Sequence, residues 1–294
     1  MTAPAKDHAS ELGRRQLLQA VAGGAAVACG LGAARANDTA ANLKGRIRQA
    51  ACPGVFGRKM PLEERCRLAA ELGLKGIDFI DSKDWPTLEK HGLICTMVRS
   101  HSLTKGLNRK ENHDECLAKI REGIEAAAAA GYPNVICFSG NRDGLDDETG
   151  LVNCAEGLKK VAGLAEQKKV TLAMELLNSK RNHKDYQCDR TAWGVEMCKR
   201  VGSERVKLLY DIYHMQVQEG DVIATIREFI GYFAHIHTAG VPGRHEIGDD
   251  QELYYPAIMR AIAETNFDGF VAHEYSPTGE PAESLKQAVA ICDV

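Results

Sequence analysis

Four polar residues close four apolar runs in the second half of the chain: Glu175 in LAMELLN, Asp211 in LLYDIYH, His237 in AHIHTAG and Glu274 in VAHEYSP. A lone carboxylate in such a place commonly caps a helix or accepts from a loop. Three carboxylates and an imidazole at equivalent places are a different matter. They make a mixed oxygen and nitrogen set that suits one divalent ion, with Mn²⁺, Mg²⁺ or Co²⁺ expected and Zn²⁺ also acceptable to it. Without a cation they would carry charge into a partly enclosed site, at a cost on the order of several kcal/mol each. A bound divalent ion offsets that cost.

The stretch HIHTAGVPGRHE, residues 235–246, surrounds one of the four with further candidates. His235 lies two residues before His237, so on a strand it points to the same side, one layer deeper. It is read as a buried, hydrogen-bonded histidine beneath the site. His245 and Glu246 follow Arg244 in a loop, and either form a solvated turn or gate the site and orient Arg244. His273 alternates with Glu274 and should face away from the site. Asn178, His183 and Tyr186 sit in LNSKRNHKDYQC, a polar loop beside Glu175 that is placed to act as a lid. His101 follows an earlier apolar run and is a weaker candidate for the pocket wall. Trp85 and Trp193 fall in helical stretches and read as packing.

Placing four such groups together requires a repeating scaffold. From residue 46 onward, short β-rich apolar runs alternate with longer stretches of helical periodicity. The expected strands are 46–52, 75–80, 93–99, 134–139, 170–176, 206–211, 233–239 and 269–275. Between them lie helical stretches such as PLEERCRLAAELG and HDECLAKIREGIEAAAAAGY, several closing on glycine. Eight strand-then-helix units in about 250 residues predict a (β/α)8 TIM barrel of α/β class. A doubly wound sheet would instead want a Gly-rich phosphate loop after the first strand, and ACPGVFGRKMP lacks that spacing. In a barrel, all four polar residues fall at the C-terminal ends of the last four strands, on the face where active sites are built.

Composition narrows the class. With 44% hydrophobic and 26% charged residues the chain reads as globular, and a net charge of -3 gives no electrostatic case for nucleic acid or an anionic membrane. The 10 cysteines are scattered without a CxxC pair, which favours buried thiols over a disulfide framework. Residues 1–40 stand apart from the fold. Arg14-Arg15 precedes an apolar Ala/Gly-rich run, and Ala34-Arg35-Ala36 offers a cleavage site after Ala36. This resembles a twin-arginine signal, which predicts passage through the Tat export machinery and a periplasmic location. The run is too short for a stable membrane span. Ala26-Val27-Ala28 before Cys29 is a poor match to a lipobox. A single domain is expected over 41–294, and a homo-oligomer is compatible with it.

At MELLN, YDIYHMQ, HIHTAGVPGRHE and HEY the chain resembles the xylose isomerase-like TIM barrel superfamily, closest to hydroxypyruvate isomerases and ketose 3-epimerases. Together with the strand rhythm, the resemblance covers roughly residues 45 to 290. It implies that Glu175, Asp211, His237 and Glu274 bind one divalent metal, and that Glu175 and Glu274 also form the acid/base pair. It implies that His214 and Arg244 hold substrate oxygens. The seventh-strand ligand is typically glutamine in hydroxypyruvate isomerases and histidine in the epimerases, so the VPGRHE loop and His237 point to different substrates. The chemistry is common to both. A divalent ion bridging a carbonyl and its neighbouring hydroxyl stabilises the enediolate left by proton removal, and the Arg244 fork suits a substrate carboxylate. The resemblance therefore implies an isomerase of a small keto acid or sugar, with hydroxypyruvate the nearest named substrate. A DNA-repair endonuclease of the same superfamily would need more histidines and a basic surface. A non-catalytic periplasmic carbohydrate-binding protein would have no use for two proton-transfer carboxylates.

Overall fold

The computed structural model describes residues 43–294, all within one compact unit. The Arg14-Arg15 leader, Cys29 and the cleavage site expected after Ala36 lie outside the described residues.

Six parallel strands form the sheet: β1 (Gln49–Ala51), β2 (Asn134–Cys137), β3 (Thr171–Leu176), β4 (Val206–Asp211), β5 (Phe233–Thr238) and β6 (Phe270–His273). Their order is β1-β6-β5-β4-β3-β2. The strands expected at 75–80 and 93–99 are not regular strands, which corrects the sequence reading. Each contributes only single parallel bridges: Ala51 with Ile77, Gly76 with Ile94, and Val98 with Val135. Those bridges still lead from β1 round to β2. The ladder fails between them because Phe79 adopts φ 59°, which turns the backbone out of the strand directly after Asp78. At Gly76, a Cβ would come within 2.2 Å of the Ile94 carbonyl oxygen, so only glycine permits the bridge there.

Nine α-helices lie between and after these segments among the described residues: α1 (Leu62–Glu71), α2 (Trp85–Lys90), α3 (His113–Ala130), α4 (Asp147–Lys168), α5 (Thr191–Val201), α6 (Ile212–Gln218), α7 (Val222–Phe229), α8 (Tyr255–Glu264) and α9 (Pro281–Cys292). The alanine-rich α3 stops at Gly131, whose φ of 72° supplies the left-handed cap that the sequence anticipates. Trp85 donates to the Ile80 carbonyl and Trp193 to the Asp147 carbonyl, so both are packing residues. No helix among the described residues is long and apolar enough to cross a membrane. The nine described cysteines are free and buried, as the scattered spacing anticipated.

Side chains alternate across each strand. One face, with Leu172, Met174, Tyr210, Ile236 and Val271, packs into the large core shared with the helices. The other face forms two small apolar clusters, Met97-Ile136-Ala173-Leu209 and Ala50-Phe270-Ala272. Above these floors the same face turns polar. A bulge between β4 and β5 sets which residues arrive there: Leu208 pairs with Phe233 but Leu209 pairs with His235. The extra residue, Ala234, sends Phe233 outward to stack on Tyr210 while His235 and His237 both remain on the inner face.

Candidate active site and metal centre

The inner face brings Glu175, Asp211, His237 and Glu274 together, with one donor atom from each lying within 4.8 Å of the others. Glu175 sits near the end of β3, Asp211 ends β4, His237 is the penultimate residue of β5, and Glu274 directly follows β6. Adjacent ladders hold them level, since Asp211 pairs with His237.

Asp211 serves two purposes with two oxygens. Its Oδ1 accepts from the His214 amide at 3.2 Å and caps α6, while Oδ2 faces the site. Asp211 therefore plays the ordinary part of a strand-end carboxylate, capping a helix, and still presents an oxygen to the cluster. His237 is likewise divided. Its Nε2 lies 3.0 Å from Asp78 Oδ2, whereas Nδ1 faces Glu274 Oε2 at 2.7 Å and Glu175 Oε1 at 3.7 Å. Nδ1 is buried and makes no well-directed hydrogen bond. An imidazole nitrogen free of hydrogen bonds and aimed at three carboxylates fits a divalent ion, in number and in chemical type.

Asp78 is the residue that sequence reading missed. It is fully buried and accepts from His235 Nε2 at 2.8 Å, from His237 Nε2 and from the Thr96 hydroxyl, with Cys52 Sγ at 3.6 Å. Burial alone would raise its pKa, but the two histidines outweigh that and hold it well below the usual carboxylate range. The signal was available: KGIDFI places an acid within an apolar run.

Charge divides the two glutamates. Burial, reinforced by the neighbouring Glu274, pushes the Glu175 carboxyl up to about 8. Burial also opposes ionisation of Glu274, but His237 and Arg244 more than offset it and keep that group below its ordinary value. Arg244 Nη2 reaches both Asp211 Oδ2 and Glu274 Oε2 at 2.7 Å. Its backbone, at φ 60° after Gly243 at φ 96°, turns the side chain back into the site.

His214 is fully buried. Its Nδ1 accepts from Asn178, whose Nδ2 lies 2.6 Å away, so the ring proton belongs on Nε2. Nε2 has no hydrogen-bond partner and lies 3.7 Å from Asp211 Oδ2, leaving a donor pointed at the site. His183 packs its ring 5.1 Å from that of His214 at the site's edge. Asn178 folds its loop back by accepting from the amides of Arg181 and Asn182. Tyr186 donates to the Glu175 carbonyl from beneath.

The remaining candidates lie around this centre. His235 sits below His237 on Asp78. His273 faces away, between Thr238 and Gln49. His245 and Glu246 do not touch the four clustered residues: His245 bonds the Ser276 carbonyl, and Glu246 accepts from Thr278 and Ser284. Both fasten the Arg244 loop to the segment before α9, and Glu246 also ties it to α9 through Ser284. A cavity of about 680 Å³ opens above Glu175, Glu274 and Arg244, with His101 in its far wall.

The family model described as "Xylose isomerase-like TIM barrel" matches residues 66–292, and the chain belongs to that family. The chain is 27% identical to hydroxypyruvate isomerase of Escherichia coli over 229 residues, covering 72% of this chain and 87% of that protein. It is 37% identical to 2-oxo-tetronate isomerase of Cupriavidus necator over 130 residues, 44% of this chain and 49% of that one. Among solved structures, one titled AP endonuclease, family 2 from Brucella melitensis superposes with a TM-score of 0.74 at 25% identity, covering 81% of this chain and 97% of that one. A D-psicose 3-epimerase superposes with a TM-score of 0.69 at 16% identity over 83% and 97% of the two chains, a likeness of fold. These relatives support an isomerase.

Proposed function

We propose that the protein is a divalent-metal-dependent isomerase of a small keto acid or sugar, most like the enzyme that converts hydroxypyruvate to tartronate semialdehyde. The observation that carries this reading is the cluster of Glu175, Asp211, His237 and Glu274, one donor atom from each within 4.8 Å of the others, in which two carboxyls flank one histidine. Their surroundings differ, with His237 and Arg244 favouring ionisation of Glu274 and burial opposing that of Glu175, which suits a base and an acid.

Glu175, Asp211, His237 and Glu274 would hold the ion, with Mn²⁺, Mg²⁺ or Co²⁺ favoured by three oxygens and one nitrogen, and Zn²⁺ accepted. When bound, the ion supplies positive charge for the enediolate that proton removal creates beside the substrate carbonyl. Glu274, kept ionised by His237 and Arg244, takes the proton from the carbon next to the carbonyl. Glu175, whose proton affinity burial raises in the metal-free cluster, is the group placed to return one at the neighbouring carbon. His214 offers its Nε2–H to a substrate oxygen. Arg244 offsets the charge of Asp211 and Glu274, and its position in the cavity wall lets it also meet a substrate carboxylate.

His237, where the resemblance expects glutamine in a hydroxypyruvate isomerase, favours a second reading as a ketose 3-epimerase. The same two carboxyls would then act on opposite faces of one carbon. Net charge of -3 speaks against a DNA substrate. A purely carbohydrate-binding role leaves the second carboxyl beside His237 without a use. The leader around Arg14-Arg15 adds to the proposal that the enzyme works after export to the periplasm, alone or as a homo-oligomer.

The test is solvent deuterium exchange, followed by proton NMR, on Mn²⁺-loaded protein supplied with hydroxypyruvate and with ketoses. Deuterium should enter at a carbon beside the carbonyl, at two carbons for an isomerase and one for an epimerase. Absence of exchange in every compound, or absence of bound metal after growth in Mn²⁺, Mg²⁺, Co²⁺ and Zn²⁺, sinks the proposal.

A further inference from the structure

The cavity has a second end that the proton transfer does not use. Arg99 forms part of its wall, beside Ser100 and His101, and Arg244 lines the same cavity. Arg99 Nε donates to the Phe79 carbonyl at 3.0 Å, and its guanidinium carbon lies 5.2 Å from the centre of the Phe79 ring. The same ring meets His237 edge-on at 6.0 Å. One aromatic ring thus contacts both the candidate metal ligand and an arginine.

Phe79 is held there at a cost. Its φ of 59° is rare for a bulky side chain and costs about 1–3 kcal/mol. The conformation is pinned, since the Phe79 amide donates to the Met97 carbonyl at 2.8 Å while its own carbonyl serves Arg99. The result fixes a ring in the cavity wall and a guanidinium against it, with Arg99 paired to no carboxylate among the described residues. A guanidinium positioned in this way matches carboxylate or phosphate with little ordering left to do.

We propose that Arg99, braced on Phe79, is an anion subsite, and that the natural substrate is a sugar acid or sugar phosphate whose acidic group lies at the end of the chain remote from the carbonyl. This rests on the isomerase reading, which sets the reacting carbons beside Glu175 and Glu274. A carboxylate adjacent to the carbonyl stays one bond from the reacting carbons, whereas Arg99 is fixed on Phe79 and contacts none of the four clustered residues. A longer chain does, and a cavity of about 680 Å³ is of the size that takes ligands well beyond three carbons.

The probes are glucitol 6-phosphate and glucitol, which lack a carbonyl and cannot react. By calorimetry, the protein should bind the phosphate ester about tenfold more tightly than the neutral polyol at low salt, with the margin shrinking as salt rises. Arg99→Gln should remove most of that preference and Arg99→Lys should keep part of it. Because Arg99 is exposed, both variants should match the parent protein in circular dichroism and melting temperature. Equal affinities, no binding of the ester, or a preference that survives Arg99→Gln and disappears in Arg244→Gln overturns the proposal. The isomerase reading fails separately: no exchange with any ketose while the phosphate preference stands would remove that reading and leave the subsite.

Discussion

Asp78 Oδ2 and His237 Nε2 lie 3.0 Å apart, on the opposite edge of the imidazole from the nitrogen that faces Glu175 and Glu274. An ionised Asp78 accepts the Nε2 proton and so leaves the Nδ1 lone pair for a metal. Asp78→Asn should therefore weaken Mn²⁺ binding by about 10–100-fold, measured by competition with a chelator. If affinity stays within twofold while the variant remains folded, Asp78 does not set the tautomer.

Why Asp78 escaped sequence reading, while the four ligand candidates did not, has a physical cause. Glu175 and Asp211 each stand near the end of a six-residue strand, two residues beyond an apolar inward residue, Ala173 and Leu209, so an acid there stands out. Asp78 belongs to a segment that bridges its neighbours only at Gly76 and Ile77, and the left-handed Phe79 ends it at once. The acid in KGIDFI is visible, but the periodicity that would mark it as inward-facing is too short to read. Eight strand positions were legible as apolar runs, yet regularity at two of them was not, because the backbone turns at Phe79 in one and bends at Thr96–Met97 in the other. The aim of Arg99 depends on the turn at Phe79. By contrast, the outward position of His273 followed from strict alternation in β6 and needed no structure.

Substituting either proton-transfer candidate should stop exchange. Glu175→Gln and Glu274→Gln keep shape and remove the titrating proton, so deuterium incorporation should fall by roughly 10²–10⁴-fold. Metal content distinguishes a lost acid or base from a lost ligand, and should be measured on the same samples. Exchange within threefold of the parent in both variants would leave the assignment without support.

The turn that presents Arg244 depends on Gly240. A Cβ there would come within 2.1 Å of the Glu246 carbonyl oxygen, while the Gly240 amide and carbonyl bond His245 and Arg244. Gly240→Ala must shift the loop, and a displacement of about 1 Å at a reacting centre can cost on the order of 10²-fold in rate. We expect kcat/KM to drop by about that factor with the far-ultraviolet circular dichroism unchanged. An unaltered kcat/KM would mean that the Arg244 position is not critical.

Buried thiols should be inert. Burial pushes Cys66 and Cys116 up to about 11 and Cys95 and Cys198 up to about 12, so very little thiolate is present near neutrality. Alkylation at pH 8, mapped by mass spectrometry, should leave the nine cysteines from Cys52 onward unmodified in the native protein and label all of them in denaturant. Ready native labelling at any of the four named positions contradicts the packing described.

Stability should carry a pH dependence traceable to His273. Burial lowers its pKa to about 4 from an ordinary value of 6.5. Its Nε2 donates to Gln49 Oε1, whose own amide nitrogen is committed to the Val289 carbonyl, and Nδ1 accepts from the Thr238 hydroxyl. Every contact is made by the neutral ring. Between the two pKa values the unfolded chain binds the extra proton, so unfolding free energy rises with pH. The contribution is complete above about 6.5 and is lost as pH falls through 4, amounting to about 3 kcal/mol in all. His273→Gln replaces the ring with an amide that can donate to Gln49 and accept from Thr238 without titrating. Urea unfolding of both proteins from pH 7 to pH 4 should show the parent losing stability relative to the variant as pH falls. Parallel curves would mean that His273 titrates alike in the folded and unfolded chains.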